Sequence, residues 1–242
     1  MDTVKINSKE TKIIAHRGLS GIERENTYPA FVAAGNRSYY GIETDIHTTA
    51  DGKFVVIHDE TTERVSLGVS NINVEQVNWD ELKDIVLPDL DSSTHRRDIK
   101  LPLLTDYIKI CKKYNKVCVL EIKNAFSREN LQRVVAEIKS LEYIENVIFI
   151  SFVFENCVIL RDLVPQNDIQ WLTSEPVNKD VIKKLKDNNL NLDIYYRQLN
   201  KEIIDELHSN GIKVNCWTCD SKEDAEKLVE MGVDFITSNI IE

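Results

Sequence analysis

The stretch VCVLEIKNAFSRENLQRVVAEIKSLEYIENVIFISF, residues 117–152, decides how the rest of the chain is read. It opens on one β-branched run, VCVLEIK at 117–123, and closes on another, VIFISF at 147–152. Between them Leu131, Val134, Val135, Ile138 and Leu141 recur at helical spacing behind Ser127, whose hydroxyl suits an N-cap. Strand, amphipathic helix and strand in this order make the parallel βαβ unit. Outward from it, short apolar runs at 12–16, 41–47, 169–173, 192–196, 212–218 and 233–238 predict six more strands. Amphipathic stretches at about 27–36, 104–115, 154–163, 178–188, 200–209 and 221–231 predict the helices between them. Eight strands with seven intervening helices in 242 residues predict an α/β protein, a (β/α)8 TIM barrel occupying 1–242 as one domain. The sequence stops at Glu242, so the eighth helix is expected to be missing or truncated, with the N-terminal segment or a partner subunit covering the gap.

Composition excludes several classes. Forty acidic against thirty basic side chains leave a net charge of −10, which argues against nucleic acid as a partner, because affinity for a phosphate backbone comes from clustered Lys and Arg. No window approaches the roughly 18 apolar residues of a membrane span, and MDTVKINSKETK lacks the apolar core of a signal peptide. The chain reads as cytoplasmic, without stable membrane insertion. Its five cysteines, at 111, 118, 157, 216 and 219, are odd in number and do not form a secreted disulfide framework. Cys216 and Cys219 lie three apart on an apparent strand, pointing to opposite faces, and read as small buried hydrophobes.

Residues 48–102 separate the second strand from its helix. The insertion begins with a hairpin around Asp51-Gly52, a strong two-residue turn signal. If Ala50 faces Lys53, then Asp45 faces His58 on one side of the ribbon. The remainder, 60–102, suggests a cap beside the barrel mouth, where such folds set substrate choice.

Glu43 and Asp45 put two carboxylates on one face of an otherwise apolar strand, a costly arrangement unless a cation or proton neutralises it. Glu121 and Lys123 repeat the i, i+2 spacing on the next barrel strand, at the end where barrel enzymes keep their active sites. Taken singly, each would read as an ordinary salt bridge. Jointly they predict a site for a hard divalent cation, Mg²⁺ or Ca²⁺, since the donors are oxygens without clustered His or Cys. His16 and Arg17 close the first strand and reach the same mouth, with Gly18 allowing a tight exit. His16 and His58 would then border the cation as the proton-accepting and proton-donating groups that phosphodiester cleavage requires, and Arg17 offers a planar fork for phosphate.

These residues resemble the glycerophosphodiester phosphodiesterases. The resemblance rests on IAHRG at 14–18, ENT at 25–27 followed by PAF, ETD at 43–45, DGKFVVIHD at 51–59 and LEIK at 120–123, and it continues through LPLL at 101–104, CWT at 216–218 and GVDFITS at 232–238. It implies hydrolysis of glycerophosphodiesters to sn-glycerol 3-phosphate and an alcohol. The glycerol 2-hydroxyl would attack to form a cyclic phosphate that water opens. It also implies that Glu43, Asp45 and Glu121 hold the metal, His16 and His58 form the acid/base pair, and Arg17 and Lys123 hold the phosphate. Glu25 would support Arg17, or else complement the dipole of the following helix. Trp217 would pack on the glycerol backbone, or else belong to the core. The chain departs from the family pattern at Ser238, where Asp is usual, and at Cys219-Asp220, where a hydrophobic residue and Asn are usual. Two alternatives share this framework: a lysophospholipid phosphodiesterase, and a phosphate-ligand-binding barrel without catalysis.

Overall fold

The computed structural model describes residues 2–242. In chain order the elements are β1 (Lys12–Ala15), α1 (Tyr28–Gly35), β2 (Gly41–Thr48), β3 (Phe54–Val56), α2 (Trp79–Leu82), α3 (Leu104–Tyr114), β4 (Val117–Ile122), α4 (Arg128–Ser140), β5 (Val147–Ser151) and α5 (Phe154–Leu163). They continue as β6 (Ile169–Thr173), α6 (Lys179–Asp187), β7 (Asn191–Tyr195), α7 (Lys201–Ser209), β8 (Val214–Trp217), α8 (Lys222–Met231) and β9 (Phe235–Ser238). Parallel pairing runs β1–β2–β4–β5–β6–β7–β8–β9 and closes back on β1, which gives a barrel of eight parallel strands among the described residues. Both faces of these strands are covered, which is why they read as near-continuous apolar runs. Ile14, Val119, Ile148, Ile150, Leu172 and Phe235 fill the barrel, while a larger cluster joins its outer face to the helices. In α4 the Ser127 hydroxyl accepts from Asn130 N, and Leu131, Val134, Val135 and Ile138 are buried, as the periodicity requires.

No helix follows β9 among the described residues. The N-terminal segment lies along the chain there: Val4 pairs with Ile241, and the Glu242 side chain accepts from Thr3 Oγ1 at 2.6 Å and from Ser38 N at 2.8 Å. No helix is long and apolar enough to cross a membrane among the described residues. All five cysteines are free and buried.

The hairpin register differs from the expected one. Observed pairs are Ile46–Val56, His47–Val55 and Thr48–Phe54, so Asp45 lies opposite Ile57 rather than His58. The loop holds three residues, not two. Gly52 N donates to Thr49 O, Thr49 N donates to Lys53 O, and Gly52 sits at φ +75°, the left-handed residue that ends such a loop. Asp51 favours this form because its carboxylate accepts from Thr49 Oγ1 at 2.6 Å and from Trp79 N at 3.0 Å, which ties the turn to the cap. His58 therefore reaches the barrel mouth from the chain beyond β3 and not as a cross-strand partner of Asp45. The cap has its own apolar cluster of Val55, Ile57, Val65, Val74, Leu82, Leu87, Ile99 and Leu101. The amphipathic piece within it forms only the single turn of α2.

Candidate active site

Parallel strands deliver side chains of like parity to one end of the barrel, and β2 and β4 are in register with Asp45 beside Glu121. Glu43, Asp45 and Glu121 are all buried, and one carboxylate oxygen of each lies within 4.8 Å of the others. Asp45 Oδ1 and Glu121 Oε1 have no hydrogen-bond partner. Lys123 Nζ lies 2.8 Å from Glu121 Oε1 and 3.4 Å from Asp45 Oδ1, close enough for charge pairing but not aligned for hydrogen bonding. Three buried carboxylates that share this one ammonium, at a spacing that oxygen ligands of a hard cation adopt, fit a divalent metal.

Electrostatics divide the three acids. Burial, then the Asp45 charge, pushes Glu43 well above the usual carboxylate range. Burial and Asp45 likewise push Glu121 up to about 8, against the opposing pull of Lys123. Burial acts on Asp45 in the same sense, but Lys123, Arg17 and His58 outweigh it and hold Asp45 well below its ordinary value.

The ENT sequence is spent on three separate tasks. Glu25 accepts from Arg17 Nη1 at 2.8 Å, Asn26 donates to Asp45 Oδ2 at 2.7 Å, and Thr27 caps α1. Asn26 Oδ1 in turn accepts from Thr44 Oγ1, which fixes the amide's orientation. Arg17 N donates to Glu43 Oε2 at 2.7 Å, so backbone and guanidinium of one residue touch three acids, Glu43, Glu25 and Asp45, and the cavity at once.

That contact depends on a left-handed bend in which Arg17 has φ 52° and Gly18 φ +74°. A Cβ on Gly18 would lie 2.7 Å from the Ala30 carbonyl carbon, backbone that has no room to yield. Gly18→Ala is expected to cost about 2–5 kcal/mol from conformational strain plus overpacking. At roughly 2–4 °C per kcal/mol this is a fall of roughly 4–20 °C in Tm, and thermal unfolding with a fall under about 2 °C would contradict it.

Both histidines are held through Nδ1. His16 Nδ1 lies 2.7 Å from Asn239 Oδ1, and Asn239 Nδ2 donates to Asp220 Oδ2 at 2.7 Å, so the amide oxygen faces His16 and Nδ1 carries the hydrogen. His58 Nδ1 lies 2.6 Å from Asp59 Oδ1, and its backbone carbonyl is 3.1 Å from His47 Nε2. Asp59 is held below its ordinary value, with burial outweighed by hydrogen bonds to Arg64 and His58. It is thus ionised and accepts from His58. Each ring is left with a bare Nε2, that of His16 4.0 Å from Glu43 Oε2. Burial, then Arg17, brings His16 down to about 4, and burial lowers His58 as well.

The cavity at this mouth is lined on its polar side by His16, Arg17, Glu43, His58, Glu121, Asp193, Thr218 and Thr237, and on its apolar side by Ile150, Phe152, Leu172 and Trp217. Asp45, Lys123 and Glu25 are not on its wall and meet it through Arg17 and Glu121. Trp217 packs edge-on against Phe152 at 5.7 Å, and its buried Nε1 has no partner. The Ser238 hydroxyl donates to Asp220 Oδ1 at 2.8 Å. The two departures from the motif pattern thus face each other, with the carboxylate moved from one strand end to the other.

Sequence reading did not single out Asp59, Arg64, Asp193 or Asn239. Asp59 adjoins His58, and Asp193 is a carboxylate inside an apolar strand, the same signal that marked Glu43. Asn239 and Arg64 carry no such signal, because only folding brings them to the mouth.

Residues 16–242 match the model of the Glycerophosphoryl diester phosphodiesterase family. A glycerophosphodiester phosphodiesterase of Caldanaerobacter subterraneus subsp. tengcongensis is 28% identical over 232 residues, covering 95% of this chain and 94% of that relative. The crystal structure of a glycerophosphodiester phosphodiesterase from Parabacteroides distasonis superposes with a TM-score of 0.79 at 29% identity, covering 95% of this chain and 93% of that one. An Oleispira antarctica phosphodiesterase, solved in complex with the product sn-glycerol-3-phosphate, shares the fold with a TM-score of 0.82 at 22% identity, covering 95% and 93%.

Proposed function

The chain belongs to the glycerophosphoryl diester phosphodiesterase family, enzymes that hydrolyse glycerophosphodiesters, and on that premise we propose that it does so with a divalent metal and two histidines. The observation that carries this reading is the buried cluster of Glu43, Asp45 and Glu121, three carboxylates against the one nearby ammonium of Lys123, with Glu43 and Glu121 lining the mouth that also holds Arg17, His16 and His58. Glu43, Asp45 and Glu121 would hold Mg²⁺ or Ca²⁺. When bound, such a cation supplies concentrated positive charge against the phosphoryl oxygens and the attacking hydroxyl.

The chain's own residues perform the rest. The Arg17 guanidinium, held by Glu25, offers its remaining N–H groups to the phosphate. Lys123 holds Asp45 ionised and pulls against the rise of Glu121, and would add a second positive charge behind the phosphate. At neutral pH both imidazoles are neutral with Nε2 bare, so one accepts the proton of the glycerol 2-hydroxyl as its oxygen attacks phosphorus. The phosphate's own charge raises the proton affinity of the other, which takes up a proton from solvent at Nε2 as the substrate binds and hands it to the departing alkoxide. The cyclic phosphate so formed is opened by water with the roles reversed, giving sn-glycerol 3-phosphate. Five free thiols suit action in the cytoplasm.

A second reading, a lysophospholipid substrate, is favoured by the apolar wall and by Phe152, which is 44% exposed. The test is release of sn-glycerol 3-phosphate from glycerophosphocholine and glycerophosphoethanolamine, with chelator and with Mg²⁺ or Ca²⁺ restored. Metal-restored release is the expected result. No release by the folded protein under either metal would overturn it; release of choline and lysophosphatidic acid from lysophosphatidylcholine, with no sn-glycerol 3-phosphate from either glycerophosphodiester, would establish the second reading, and metal-dependent binding without turnover a non-catalytic barrel.

A further inference from the structure

Arg64 lies in the cap, outside the barrel, yet its guanidinium reaches two carboxylates that orient different parts of the site. Its Nε is 2.5 Å from Asp59 Oδ2, and its Nη1 and Nη2 are 2.7 Å and 2.9 Å from the two oxygens of Glu25. The other oxygen of Asp59 accepts from His58 Nδ1 at 2.6 Å, and Glu25 Oε1 also accepts from Arg17 Nη1 at 2.8 Å. One planar group thereby joins two arms, His58–Asp59 and Arg17–Glu25, into a continuous hydrogen-bonded chain across the mouth.

We propose that Arg64 is a positioning residue through which the cap fixes both the ring of His58 and the guanidinium of Arg17. The proposal rests on the phosphodiester reading for its kinetic consequence and on geometry alone for its structural one. His58 is about one-third exposed, and the Asp59 contact is the one hydrogen bond its ring makes among the described residues. Asp59 and Glu25 are both ionised carboxylates: burial raises Glu25, but Arg64 and Arg17 outweigh it and hold it to about 2. Without the fork between them each is free to leave its partner for water. Exposed ion pairs add little to stability, and Arg64 is itself 47% exposed in its side chain, so the contribution of these bonds is to orientation and not to folding. Lysine cannot replace the fork, because a single ammonium cannot present three donors in the plane that spans both carboxylates.

The expected result for Arg64→Ala and for Arg64→Gln is a fall of about 10–100-fold in kcat, as for other residues that orient a reacting group from behind, with KM raised several-fold because Arg17 loosens at the same time. Arg64→Lys recovers part of one of these effects and not both. Arg97→Ala, at an exposed position of the same cap, leaves both constants unchanged. A second readout needs no substrate: in ring ¹⁵N spectra at pH 8, with His58 assigned through His58→Gln, the wild type shows the Nδ1–H tautomer and Arg64→Ala shifts toward the Nε2–H form. Unaltered His58 ring signals in Arg64→Ala would overturn the proposal while leaving the phosphodiester reading standing. A tautomer shift in a protein that hydrolyses no phosphodiester would support the positioning and overturn that reading instead.

Discussion

Glu121→Gln abolishes the hydrolysis of glycerophosphodiesters and, in the metal-free protein, raises the melting temperature. On the proposed reading, activity and stability move in opposite directions because the three carboxylates hold a cation. Glu121 is 7% exposed, and its Oε1 has no hydrogen bond. Burial and the neighbouring Asp45 raise its pKa to about 8 in the folded chain. For an acid whose folded value lies above its unfolded one, about 4.3, the folded state holds the proton more tightly. The stability this contributes is present in full below pH 4.3 and is lost as pH rises through about 8. Glutamine carries no such penalty, so the gap between variant and wild type opens across that window. Its expected size is that of one under-satisfied buried polar group, about 1–3 kcal/mol or roughly 2–12 °C. Adding Mg²⁺ or Ca²⁺ reverses the order: the wild type gains about 2.7 kcal/mol at a hundredfold excess over Kd, and the variant little. Thermal melts at several pH values with and without metal, alongside turnover, test both halves. A variant that keeps its metal-dependent rise in Tm, or activity within about tenfold of wild type, would sink the assignment of Glu121 as a ligand.

His16→Gln and His58→Gln each lower kcat by about 10²–10⁴-fold, the usual contribution of a positioned proton-transfer group. Their KM values are expected to change little, since on the proposed reading Arg17, and neither ring, holds the phosphate. The double variant falls only modestly below the worse single one, because attack and departure are coupled and losing either partner already forfeits most of the assistance. The carbonyl of His58 still meets His47 in both backgrounds, and the His16 main chain still pairs with Ser238, so neither substitution removes a backbone tie. Turnover within about tenfold of wild type for either variant would exclude that ring from the proton transfers.

Much of this site was legible before folding, because it is built on strands. Parity places Glu43 with Asp45 and Glu121 with Lys123, and parallel register then brings Asp45 beside Glu121, so charge on an apolar strand pointed to the mouth without any contact being known. The histidine of HRG was readable for the same reason. His58 was found by motif but placed by the wrong route. The expected two-residue turn gave a register one step out, since the side chain of Asp51 stabilises a three-residue loop and that preference is invisible in the Asp-Gly pair itself.

The amino-acid sequence by itself determined the eight-stranded barrel, its capped hairpin insertion and the strand-borne acids, because each follows from a local period of apolar residues repeated along the chain. Only the tertiary structure decided what orients the side chains of the candidate site. Asn239 stands 223 residues from His16, Asp220 exchanges places with the usual acid across two strand ends, and Arg64 bridges residues from two separate loops. Such contacts join loops whose sequences obey no periodicity, and their meeting is set by barrel closure and by the fold that the cap's own apolar cluster imposes on it.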